Sequence, residues 1–183
     1  VNKTILSRKL MIAVLAFGFG INGLAFAEED TVETFEPMGF AAKQNVLLPL
    51  TPEEAFDVMT GDVLPWWDHH MSEEPVAMVI EPKPGGHFYE LFNENGDGVI
   101  HATVTYVERG KKLRLEGPLG LAGRALQLVS TIDFAQDEGG TLVTVTVTMS
   151  GQITEDWAQA VENVWYHFLV EQLKPYVESK LEE

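Results

Sequence analysis

The stretch from Thr154 to Leu181 constrains the chain most. Placed on a helix at ~100° per residue, its Trp157, Val161, Val164, Trp165, Phe168, Leu169, Leu173 and Tyr176 share one broad face. Asp156, Gln159, Asn163, His167, Lys174 and Glu178 share the other, with Val170 as the misfit. Thr154 is placed to cap the start, and Glu155 and Asp156 suit the positive N-terminal end. Pro175 predicts a kink, or a restart for a last turn. A face with two Trp and a Phe cannot be left in water when each large buried side chain is worth ~1.5–3 kcal/mol. The helix therefore needs a wide apolar partner.

That partner is a run of strands. Lys43 to Leu50 reads as the first. Thr51-Pro52-Glu53-Glu54 then starts a short helix, with Thr51 as N-cap, Pro52 in the first turn and Glu54 completing a capping box. Gly61 ends it, and Asp62 to Trp67 reads as a second short helical turn. Six strands follow: Val76 to Glu81, His87 to Asn93, Val99 to Glu108, Lys111 to Glu116, Ala125 to Ala135 and Thr141 to Ser150. The turns between most of them are short and rich in Gly, as at Gly85-Gly86, Asn95-Gly96-Asp97-Gly98 and Gly139-Gly140, so neighbours run antiparallel. In the last strand Val143, Val145, Val147 and Met149 alternate with Thr, which leaves one face apolar and one solvated. In the third of the six, Ile100, Ala102, Val104 and Tyr106 are assigned to the apolar side, and His101, Thr103 and Thr105 to the other. The expected class is α+β: a curved antiparallel sheet of about seven strands around a long C-terminal helix, with a hollow between them.

The first 27 residues differ from the rest. Lys3, Arg8 and Lys9 precede an apolar run from Leu10, and Ala25-Phe26-Ala27 precedes Glu28-Glu29-Asp30. This is the pattern of a secretory signal peptide cleaved after Ala27, and it predicts a periplasmic or secreted bacterial protein with no stable membrane insertion afterwards; the alternative is an uncleaved anchor over Leu10 to Ala27, which Gly18, Gly20, Asn22 and Gly23 weaken. Residues 28–42 read as a linker or edge segment, and 43–183 as a single domain. Without Lys3, Arg8 and Lys9 the remainder holds 9 basic against 28 acidic residues. Such a surface repels phosphate backbones, which argues against nucleic acid as a partner. There is no Cys, hence no disulfide and no thiol nucleophile.

The order of elements resembles the helix-grip fold of the SRPBCC superfamily, which includes START lipid-transfer domains, the birch-pollen allergen and polyketide cyclases. The local likeness is to the branch named for the activator of the heat-shock chaperone ATPase. It is carried by Pro52-Glu53-Glu54-Ala55-Phe56, by Trp66-Trp67, and by Glu81-Pro82-Lys83-Pro84-Gly85-Gly86-His87-Phe88. Gly110 to Leu115, Thr141 to Val145, and Trp165 with Leu169 and Leu173 complete it. The resemblance implies a deep cavity between sheet and helix that binds a hydrophobic or lipid-like small molecule; no cofactor is expected. The N-terminal signal sets the chain apart from a cytosolic chaperone, so the co-chaperone role is not carried over.

The candidate ligand-binding residues are Trp66, Trp67, Phe88, Tyr106, Leu119, Leu121, Trp165 and Phe168. Of the Trp pair, one is expected in the core and one at the cavity rim. Tyr106 is the expected polar contact inside the cavity. Leu119 and Leu121 lie in the Gly-rich loop 117–123, which lacks the Lys-Ser/Thr of a phosphate loop and is expected at the cavity mouth. Glu90 is the one weak catalytic candidate. With Phe88 and Phe92 inward it enters the hollow as an acid, a base or a ligand contact. With Tyr89 and Leu91 inward it is a solvated strand residue, and that reading is favoured. Asp68-His69-His70 has metal-ligand residue types, but adjacent side chains in an extended segment point apart, and no metal is expected. The leading function is binding or carrying a hydrophobic ligand. A cavity enzyme of cyclase, dehydratase or hydrolase type and an envelope interaction module are the alternatives.

Overall fold

The computed structural model describes residues 34–182. The predicted signal peptide lies outside these residues. Eight strands form one antiparallel sheet: β1 (Met38–Leu48), β2 (Gly61–Asp62), β3 (Ala77–Ile80), β4 (His87–Leu91), β5 (Gly98–Glu108), β6 (Lys112–Glu116), β7 (Leu126–Asp137) and β8 (Gly140–Gly151). Their spatial order is β1-β8-β7-β6-β5-β4-β3-β2, so β1 and β2 form opposite edges. Helix α1 (Pro52–Val58) joins these two edges in sequence. It starts on the expected capping box, with Thr51 N–H donating to Glu54 Oε2 at 2.9 Å and Glu54 N–H donating to Thr51 Oγ1 at 3.3 Å.

Two readings of the sequence change, in strand count and in the start of the first strand. The sheet has eight strands, because Gly61–Asp62 pairs with Val79 and Ile80 as a two-residue edge. The second short helical turn is present as expected, with the N–H groups of Trp66 and Trp67 both donating to the Val63 carbonyl. The first strand begins at Met38 and ends at Leu48, five residues earlier than expected at its start, because the backbone of Met38 to Ala42 pairs with Val147 to Gly151 of β8.

The inner face of the sheet is apolar row by row. Val143 lies beside Phe134, Val145 beside Ile132, and Met149 beside Leu128 across the β7–β8 ladder. All six are buried. The long helix lies over this face in three parts: α2 (Asp156–Tyr166), a π-helical stretch (His167–Leu173) and α3 (Lys174–Leu181). Five of its buried residues, Val161, Trp165, Leu169, Leu173 and Val177, recur at every fourth position, and Phe168 is buried beside them. An α-helix of 3.6 residues per turn would carry that row gradually off the sheet. The wider π turns rewind it, and the N–H of Lys174 reaches back to the Leu169 carbonyl. The rewound segment also precedes Pro175, whose ring would strike a carbonyl in a regular α-helix. At the start, Glu155 rather than Thr154 takes the N-cap position, and the Thr154 hydroxyl donates to the Asp156 carboxylate instead.

Candidate functional site: an apolar cavity with a buried Glu–His pair

Sheet and helix do not pack flush. A cavity of about 390 Å³ remains between them, within the size range of small-molecule sites. Phe88, His101, Leu128 and Met149 line it from the strands, and Trp157, Val161, Val164, Trp165 and Phe168 from the helix. Trp67 and His69 to Met71 form one wall, and Leu119 to Leu121 another. His69, His70 and His101 are the polar side chains in a lining otherwise aliphatic or aromatic.

Trp67 organises the aromatic part. Its ring stacks on Phe168 at 4.0 Å between centroids and meets Phe88 edge-on at 5.1 Å and Trp165 at 6.1 Å. Its indole N–H donates to the His69 carbonyl at 3.1 Å, which fixes the chain that follows. Trp66 is buried differently. Its N–H donates to the Val58 carbonyl at 3.1 Å and its ring plugs the core beneath α1, away from the cavity. Leu119 and Leu121 are half-buried in a short 3₁₀ turn at the cavity wall. Leu119 has φ of 53°, a conformation that costs a non-glycine residue ~1–2 kcal/mol.

Glu90 points inward and is 0 % exposed. Its Oε1 accepts from the main-chain N–H of Ser72 at 2.8 Å, and its Oε2 from that of Met71 at 2.9 Å. Oε2 also lies 3.2 Å from Nε2 of His101. Glu90 thus pins the segment that walls the cavity while touching a residue that lines it. The Tyr89/Leu91-inward alternative, favoured on the sequence, does not hold: β4 buries Phe88 and Glu90 together.

His101 was assigned to the solvated side, and Tyr106 to the cavity. Both assignments are corrected by two irregularities in β5. Pairing shifts between Phe88 and Tyr89 leave His101 as an extra residue, and a second shift between Val104 and Tyr106 leaves Thr105 extra. Each bulge reverses the alternation. His101 and Ala102 are therefore both buried, whereas Tyr106 is 40 % exposed and its hydroxyl donates to Glu108. Tyr106 does not reach the cavity.

Beside the His69 wall of the cavity, three groups from two distant segments converge. His167 Nε2 lies 2.7 Å from Oδ2 of Asp68, and His69 Nδ1 lies 2.8 Å from Oδ1 of the same carboxylate. Glu171 holds the other nitrogen of His167 at 2.7 Å. Hydrogen bonds from Glu171 and then Asp68 raise the His167 pKa above its ordinary value. Partial burial works to raise that of Asp68, but the bonds from His69 and His167 outweigh it and the net direction is down. Ligand atoms of Asp68, His69 and His167 all lie within 4.8 Å of one another, so these are the described residues placed to hold a metal. Their present bonds to each other already satisfy those atoms. His70 is not part of this cluster; its Nε2 lies 2.6 Å from the Trp67 carbonyl.

The profile of the family described as "Activator of Hsp90 ATPase homolog 1-like protein" matches residues 49–178. The chain belongs to this family. Several solved structures share its fold. A protein from Chromobacterium violaceum is 17 % identical with a TM-score of 0.54, covering 75 % of this chain and 96 % of its own. A protein of unknown function from Staphylococcus aureus is 14 % identical with a TM-score of 0.58, covering 81 % and 99 %. One from Rhodobacter sphaeroides is 18 % identical with a TM-score of 0.56, covering 79 % and 99 %. At these identities the likeness is one of fold. No curated protein matches the sequence. Folds of this family commonly hold hydrophobic ligands.

Of the residues singled out in the sequence, Trp67, Phe88, Leu119, Leu121, Trp165 and Phe168 line the cavity, and Trp66 and Tyr106 do not. His101, Leu128, Met149 and Trp157 line it without having been singled out. The last three were legible as inward positions of their elements. His101 was hidden by the bulge.

Proposed function

We propose that this protein is an exported binder or carrier of a hydrophobic small molecule, buried between the sheet and the long helix. The observation that carries the reading is the cavity of about 390 Å³ with its aliphatic and aromatic lining. A void of this kind forfeits packing contacts in the free protein, and an apolar guest restores them. Export rests on the sequence pattern of the first 27 residues. The test is native mass spectrometry of protein purified from its own host, with a melting-temperature screen across lipids and aromatic compounds. A co-purified apolar species, or a concentration-dependent rise in melting temperature, supports the reading. The absence of both counts against it.

A cavity enzyme is the second reading, and the buried Glu90–His101 contact favours it. An imidazole held by a carboxylate has the parts of an oriented general base. His101 would meet the ligand and Glu90 would position His101. Chemical change in the ligand on incubation with wild-type protein, lost in His101→Phe, separates the enzyme from the carrier.

A further inference from the structure

The cavity meets a ligand with little polar chemistry, so the state of its deepest polar group matters. His101 is 4 % exposed. Its Nε2 faces the Glu90 carboxylate at 3.2 Å, its ring leans on Phe88 at 5.0 Å, and Nδ1 has no hydrogen-bond partner among the described residues. Glu90 is itself surrounded by donors. The N–H groups of Met71 and Ser72 point at its two oxygens. A carboxylate so placed serves as acceptor, and the partner it calls for in His101 is a donor. Neutral imidazole carries one donor and one acceptor, and the bond at one nitrogen sets the role of the other. With the proton on Nε2, the lone pair of Nδ1 is left for the cavity.

We infer that the cavity selects an apolar molecule bearing a hydroxyl group, whose O–H donates to Nδ1 of His101, the acceptor that Glu90 creates. This rests on the reading of the cavity as an apolar binding site and specifies its ligand class: a hydrophobic alcohol or phenol, in preference to the matching ether or ketone. An ether or ketone offers only acceptors, which face the lone pair of Nδ1 without a proton between them.

The test is fluorescence titration at neutral pH with naphthol, its methyl ether and acetonaphthone. The ratio of naphthol to ether affinity should be roughly fivefold larger in wild-type protein than in His101→Phe, the worth of one net hydrogen bond. In Glu90→Gln an amide oxygen at the Oε1 position still accepts from Met71 N–H at 3.1 Å and from Ser72 N–H at 2.8 Å, while the amide N–H₂ takes the Oε2 position beside Nε2. It should move the imidazole proton to Nδ1 and shift preference from naphthol to acetonaphthone. Long-range proton–nitrogen NMR of the wild-type protein reads the tautomer directly, independent of any ligand and of whether either variant folds. The inference expects the proton on Nε2 alone. A proton on Nδ1 overturns it. Equal naphthol-to-ether ratios in wild type and His101→Phe overturn the hydroxyl selection while leaving apolar binding intact. Failure of all three probes to bind overturns both.

Discussion

Asp68 and His167 are 99 residues apart in the chain, and their side chains meet at 2.7 Å. The contact ties the segment after Trp67 to the π-helical stretch, beside the cavity-lining residues His69 and Phe168. Because the His167 pKa is raised in the folded protein, its contribution is fully present below the unfolded value of 6.5. It is lost as pH rises through the higher folded value. Asp68 behaves in the opposite sense: its lowered pKa gives stability above 3.8 that is lost as pH falls through the folded value. Wild-type protein should therefore melt above His167→Gln at mildly acidic pH, and the gap should narrow as the solution is made alkaline. Melting curves of both proteins across this range check it. A gap that widens with pH would contradict the assignment.

Val164 lines the cavity from the helix and is half-buried. Val164→Trp places an indole in existing space. Apolar probe affinity should fall at least tenfold, while the melting temperature stays within a few degrees of wild type, because filling a void avoids the strain of overpacking a solid core. Titration and melting of the same preparation decide this. Unchanged affinity would mean that ligand binds elsewhere.

How much of this was legible follows from which signals are local. The capping box at Thr51 and Glu54 lies within four residues, and it formed as read. The apolar rows of β7 and β8 are long enough for their period to decide their face. Glu90 is different. Phe88 and Phe92 argue for one face and Tyr89 and Leu91 for the other, and the choice is made by N–H groups at Met71 and Ser72, far away in sequence. His101 and Tyr106 were exchanged because two bulges each insert one residue without a marker in the alternation of β5. The π-helical stretch was equally silent, since its apolar residues also fit a helical face when read over one or two turns.

Ser130 stands in the inward row of β7, between Leu128 and Ile132. It is 0 % exposed and its hydroxyl has no hydrogen-bond partner. A buried hydroxyl in that position costs about 1–3 kcal/mol. Ser130→Ala removes the oxygen and little else, so it should raise the melting temperature by a few degrees. Calorimetry reads the change. A lower melting temperature would show that the hydroxyl is satisfied in solution.

Gly139 and Gly140 both sit in the turn from β7 to β8 with positive φ, of 90° and 144°, yet they should respond differently to substitution. A Cβ at Gly139 meets nothing within 4 Å, so Gly139→Ala carries only the conformational cost of ~1–2 kcal/mol. A Cβ at Gly140 collides with the main-chain carbonyl oxygen of Leu48 and reaches the Cα of Pro49 at 3.0 Å. Those main-chain atoms lie at the end of β1 and just beyond it, and cannot rotate aside as a side chain would. The same turn is tied to the chain beyond β1 by the Thr141 hydroxyl, which donates to the Leu50 carbonyl at 2.8 Å. Gly140→Ala must therefore push the β1-to-α1 connection away from the sheet, at a cost clearly above that of Gly139→Ala. Urea denaturation of the two variants measures both costs, and equal values would refute the steric argument.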